Sequence, residues 1–306
     1  MSQPVSTARK STIFLALTFA VSWSAALGGV AIGANTTQVG ALFALVGMMF
    51  GPSIAAVICA FTFERGHVRE ALGLKWTPNW YWLLAWIAAF ALGASAIVLT
   101  VLLGHGAFAD PAQSLAAQLP AHAPPAAVEQ MRAIPPSLLD AALIGQVIVL
   151  GSLINIPVLV ITEELGWRGY LYTLWRPHGF WRSALTTGAI WGAWHAPAIY
   201  FYGLNYPGHA LIGIPMFVLF CTLLAPIMTY FRERGRSVIA PAILHGMINA
   251  VAGYAALGLS GAAFPWLGVV GIGGMIALGL GVVAVALSRP SSLPAAAPLA
   301  PAAPSR

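Results

Sequence analysis

The chain has 306 residues, 59% of them hydrophobic and only 7% charged, and its mean hydropathy is +0.84. No soluble globular domain carries that balance, so the chain reads as an all-α, polytopic membrane protein. The net charge of +6 is scattered over the connecting segments and not gathered in a patch, which argues against a nucleic-acid partner.

Residues 1–11 read as a short cytoplasmic segment, with Arg9 and Lys10 ahead of the first apolar run. Runs near 12–33, 39–63, 80–104, 138–162, 183–203, 209–231, 238–258 and 264–287 each reach the roughly 20 residues that a bilayer-spanning helix needs, giving about eight transmembrane helices. The first is longer than the roughly 7–15-residue core of a cleaved signal and reads as a span. Pro52, Pro157, Pro197, Pro215, Pro226 and Pro241 predict kinks, tolerable where neighbouring helices satisfy the freed backbone. Trp76, Trp80, Tyr81, Trp82 and Trp86 read as an interfacial aromatic belt. Cys59 and Cys221 are lone apolar packing residues.

The organisation follows. Residues 12–137 hold the first helices and an external loop at 104–137, 138–258 a helical core, 259–287 a last transmembrane helix, and 288–306 a disordered Pro/Ala-rich tail. Orientation comes from the basic residues. With the amino terminus inside, Arg9, Lys10, Arg65, Arg69, Lys75, Arg168, Arg176, Arg182, Arg232, Arg234, Arg236, Arg289 and Arg306 all fall on the cytoplasmic side, and Arg132 alone falls outside. Both termini are therefore expected in the cytoplasm. The alanine-rich composition and the lack of an organellar targeting sequence point to a bacterial inner membrane.

Within this apolar chain, Glu163 and Glu164 end a hydrophobic run, and His195 and His245 interrupt two others. Each charge near a bilayer core costs on the order of 2.5–3.5 kcal/mol on insertion scales, so such groups mark a functional site. Glu164 and Arg168 are four residues apart and can pair on one helix face, while Glu163 is rotated away by about 100° and stays free for chemistry. His245 and Asn249 share a stripe of one helix, and Trp191 sits one turn before His195 as an aromatic wall. Counting about 1.5 Å per residue puts Glu163 roughly 8 Å above Arg168, His245 roughly 12 Å above Ser237 and His195 roughly 18 Å above Ser183, or about 13 Å if that span starts near Thr186, which sets all three in the cytoplasmic half of the bilayer.

A carboxylate, two imidazoles and an amide permit two chemistries. Glu163 and His195 can activate water while His245 and Asn249 hold an oxyanion, with no cofactor. Alternatively, Glu163, His195 and His245 can ligate a zinc ion that activates the water. No H-E-x-x-H motif is present, and both remain open.

At these residues the sequence resembles the CPBP intramembrane proteases, which include the Ras-converting CaaX endopeptidases and bacterial Abi-type proteins. Glu163 to Leu171 is similar to the family's E-E-x-x-x-R with its trailing R-G-x-L, Trp191 to His195 resembles F-x-x-x-H with Trp in place of Phe, and His245 to Asn249 resembles H-x-x-x-N. The resemblance covers about 140–255. It implies an eight-helix fold with a site open to the cytoplasm, Glu163 and His195 activating water, and His245 and Asn249 binding the oxyanion. Glu164, Arg168 and Trp191 are supporting residues. Family members are described both as metalloproteases and as metal-independent, so the cofactor is not settled by resemblance. The expected partners are the lipid bilayer and a peptide or membrane-protein substrate; the sequence is silent on oligomeric state. The competing class is a non-hydrolytic membrane protein, either a proton-coupled transporter or an inactive member acting in bacteriocin immunity or scaffolding.

Overall fold

The computed structural model describes residues 5–110, 114–115, 124–266 and 268–289. In chain order it forms helices α1 (Thr7–Ala31), α2 (Gln38–Met49), α3 (Gly51–Phe63), the short α4 (Val68–Ala71), α5 (Trp80–Leu103), α6 (Pro125–Arg132) and α7 (Pro136–Leu150). From α7 the chain stays helical through a π-helical turn at Gly151–Asn155, α8 (Ile156–Leu159), a π-helical stretch at Val160–Leu171 and α9 (Tyr172–Trp175). Then follow α10 (Phe180–Trp194), α11 (Ala196–Tyr202), α12 (Ala210–Arg234), α13 (Ile239–Gly258) and α14 (Ile272–Ser288). Among the described residues, strand is confined to β1 (Ala107–Phe108) and β2 (Leu259–Ser260), an antiparallel pair joining Ala107 to Ser260.

The helices bury small and polar residues and turn large apolar ones outward. In α1 the buried positions are Ser11, Phe14, Thr18, Ser22, Ala26 and Gly29, spaced three or four apart along one stripe. Phe43, Leu153 and Leu211 are at least 70% exposed. A soluble bundle reverses that pattern; in lipid it costs nothing, because packing and hydrogen bonds, not apolar burial, hold the helices together. Ser22 Oγ accordingly donates to Met48 O at 2.8 Å. Glycine sets the closest approach. A Cβ at Gly188 would lie 2.7 Å from Cys221 O and one at Gly192 2.5 Å from Val218 Cα, so α10 lies directly on the backbone of α12. A Cβ at Gly166 would meet Pro52 at 2.6 Å, which seats the π-helical stretch on α3.

Among the described residues six helical segments, Thr7–Ala31, Gln38–Phe63, Trp80–Leu103, Pro136–His178, Ala210–Arg234 and Ile239–Gly258, are long and apolar enough to cross a membrane. This is an all-α polytopic membrane protein. The expected eight spans differ from this in two places. The run at 183–203 divides at His195 into α10 and α11, because Pro197 has no amide hydrogen for the helical ladder. The run at 264–287 keeps only the 17 residues of α14, its start taken up by Pro265, the turn of Gly268–Val270 and Gly271. In the expected aromatic belt, Trp82 Nε1 donates to Gly235 O at 3.0 Å and Trp86 Nε1 donates to Ser152 Oγ at 3.1 Å. The tail expected to be disordered lies, from residue 290 on, outside the described residues.

Candidate active site

The helix bearing Glu163 does not end at Arg168 but runs on to the turn at Arg176–His178, closed by Gly179 at φ +89°. Glu163 and His195 are each sixteen residues from Gly179, one before it and one after. Helices running back from one turn bring both residues to a similar level, as the sequence reading expects, and Trp191 contacts both. The third segment joins them from a recessed turn. Ser237 and Val238, ahead of α13, are fully buried, and Val238 N donates to Gly73 O at 3.1 Å.

Trp191 lies at the centre of the cluster. Its indole Nε1 donates to Glu163 Oε2 at 2.8 Å, and the Arg168 guanidinium lies over its ring, 4.2 Å from the centroid. Its ring also meets both imidazoles edge-on, with centroids 5.1 Å from His245 and 5.8 Å from His195. A residue expected only to wall the site thus touches four of its members.

His195 is oriented by the break in its own helix. Its backbone N–H turns back to Gly192 O at 3.2 Å, which leaves Trp191 O without that amide, and His195 Nδ1 donates to Trp191 O at 2.8 Å. A carbonyl can only accept, so Nδ1 carries the hydrogen and Nε2 of the neutral ring presents its lone pair. Trp194 and Phe217 enclose the ring, with centroids 4.5 and 4.7 Å away.

Glu164 does more than the sequence indicates. Its Oε1 accepts from Arg168 Nη1 at 3.2 Å, the expected i, i+4 pair, and also from His245 Nδ1 at 3.0 Å. Glu164 and Arg168 are at most 1% exposed. Glu164 Oε2 and Arg168 Nε and Nη2 have no protein partner, so the ion pair is joined at one oxygen only. A carboxylate on Nδ1 orients the imidazole and leaves Nε2 to face a reacting group.

Six of the seven residues singled out in the sequence, Glu163, Glu164, Arg168, Trp191, His195 and His245, therefore form one cluster. Asn249 stands apart: one turn beyond His245, it is exposed in a cleft between α7 and α13. Two contributors escaped the sequence reading. Arg232 Nε donates to Arg168 O at 2.8 Å, and Asn155 Nδ2 donates to Gly246 O at 3.1 Å, beside His245. Arg232 was hidden in a basic run that read as topology alone; Asn155, an amide inside an apolar run, carried the signal of a helix-to-helix hydrogen bond.

Among the described residues no three His, Cys, Asp or Glu side chains converge to hold a metal. Trp191 takes one oxygen of Glu163 and Glu164 takes Nδ1 of His245, so Glu163 Oε1 and the Nε2 atoms of His195 and His245 are the atoms left for chemistry.

Fold and site together define a polytopic membrane protein with a buried cluster of two carboxylates and two imidazoles between its helices. Residues 145–251 match the family described as Type II CAAX prenyl endopeptidase Rce1-like. The match spans 107 of 306 residues and takes in all three motifs. This is the CaaX protease family that those motifs resemble. No curated protein matches the chain.

Proposed function

We propose that this protein hydrolyses a peptide bond near the cytoplasmic face of the membrane, without a metal. Glu163 takes a proton from the attacking water, and the Nε2 lone pair of His195 holds that water in place. The electron pair of the water oxygen forms the new bond to the scissile carbonyl carbon, and the carbonyl oxygen becomes the oxyanion. His245, as an imidazolium whose Nδ1–H is held by Glu164, donates to it from Nε2, and Asn249 supplies a second donor from the same helix face. The proton held by Glu163 then passes to the leaving amine as the carbon–nitrogen bond breaks.

The observation that carries this reading is the Trp191 hub, which joins Glu163 to both histidines while Glu164 holds the second one. The basic residues support a topology with both termini in the cytoplasm of a bacterial inner membrane. A membrane protein or leader peptide is the substrate class, and nucleic acid has no role.

Purified protein in lipid nanodiscs, incubated with a peptide pool, tests the mechanism. Cleavage that resists a chelator is expected, with Glu163→Gln inactive. Near-stoichiometric zinc in active protein, lost in His195→Ala and His245→Ala, would overturn the metal-free mechanism.

A further inference from the structure

Between α7 with its π-helical turn and α13 lies a cleft of about 330 Å³. Its walls include Gln146, Gly151, Asn155, Asn249, Gly253 and Leu257. At one end the two walls touch: a Cβ at Gly151 would lie 2.8 Å from Met247 Sδ, and one at Gly246 3.1 Å from Ile156 N. Beyond that contact the cleft is open, and a Cβ at Gly253 would meet nothing within 4 Å.

The cleft is unusual in its polar content. Three carboxamides, those of Gln146, Asn155 and Asn249, line it among mostly apolar neighbours such as Leu143, Val147, Leu150 and Leu257. Asn155 uses one N–H on Gly246 O, whereas Gln146 and Asn249 are exposed and make no hydrogen bond within the described residues. Hydrocarbon cannot satisfy an amide, and leaving one unpaired costs on the order of 1–3 kcal/mol. The partners must therefore come with an occupant. A carboxamide offers both donor and acceptor, and so does a peptide group; an acyl chain offers neither.

Position completes the argument. Asn249 is one turn from His245, so the cleft begins where the scissile carbonyl would sit. From Asn155 to Leu143 it follows twelve residues of helix, about 18 Å, which matches about five residues of extended chain. Resting on the proteolytic reading, we infer that this cleft receives an extended stretch of a membrane-spanning substrate, which enters sideways from the lipid and pairs its backbone with Gln146, Asn155 and Asn249. The substrate class is then an integral membrane polypeptide, not a water-soluble peptide.

The test reads binding separately from turnover. A benzophenone amino acid replaces Leu257 in Glu163→Gln protein, reconstituted in phosphatidylethanolamine and phosphatidylglycerol vesicles. The probe is a pool of single-span peptides, each with about 20 apolar residues and a randomised core. Light should attach peptide to the cleft. Gly253→Leu, whose side chain enters the open space, should lower that yield about tenfold, as a loss of about 1.4 kcal/mol in affinity would. Gly145→Leu, also with nothing within 4 Å but off the cleft, should leave it unchanged. Adducts to phospholipid alone, or equal yields from the two leucine variants, would overturn the inference. Cleavage of the same peptides by protein with Glu163 intact is scored in parallel, so cleavage without attachment removes the cleft and leaves proteolysis standing.

Discussion

Glu164→Gln removes the charge that Arg168 and His245 share while keeping the shape of the side chain. Arg168 is 1% exposed and would be left as a buried cation facing an amide. Breaking a buried ion pair by neutralising one partner costs about 3–5 kcal/mol. The Trp191 face beneath the guanidinium is present in both proteins and returns nothing new. The glutamine oxygen still accepts a hydrogen bond at roughly half the strength of a charge-assisted one, so the lower end of that range, about 3 kcal/mol, is expected. The companion variant Glu164→Leu/Arg168→Met replaces the pair with apolar residues. Because the pair is joined at one oxygen and leaves three polar atoms unpartnered, this exchange should restore stability to within about 1 kcal/mol of wild type. Cleavage should stay low, since His245 Nδ1 has lost its acceptor. Denaturant unfolding in detergent and cleavage measured on the same preparations separate these effects. A cost below about 1 kcal/mol for Glu164→Gln would refute the buried-charge argument, and recovery of activity along with stability in the double variant would refute the role of Glu164 in orienting His245.

Trp191→Phe keeps a ring against both histidines but removes the N–H on Glu163; kcat should fall roughly ten- to hundredfold, the worth of a hydrogen bond to a charged group, in protein that still folds. Gly192→Ala drives a methyl into the backbone of α12 and should cost about 1–3 kcal/mol, measured by unfolding, while moving His195 and lowering cleavage. Reporters fused after Arg182 and Arg236 should read cytoplasmic and those within 104–137 external; a cytoplasmic 104–137 segment would refute the orientation.

Composition and hydropathy made the membrane class and most of the helices legible, because a span announces itself by length and apolarity alone. What stayed hidden depended on neighbours. The charge of Arg168 placed it on the cytoplasmic side, yet Arg168 is buried with its guanidinium over the Trp191 ring, and the helix continues to His178. Helical spacing identified the Glu164–Arg168 pair, but no spacing rule within one helix could show that Glu164 also takes His245, eighty-one residues away. The split at His195 was signalled by Pro197; that it frees Trp191 O for the imidazole is a consequence of three-dimensional geometry. Asn249 was legible as a polar point, and its place in the cleft beyond the cluster was not.

The central claim is that Glu163 is the base of a peptide hydrolysis carried out in this cluster. Purified wild-type protein and Glu163→Gln, shown by unfolding to be equally folded, are incubated with the same single-span peptides, and the products are read by mass spectrometry. Defined cleavage products are expected from wild type and none from Glu163→Gln. Equal cleavage by the two proteins would contradict it.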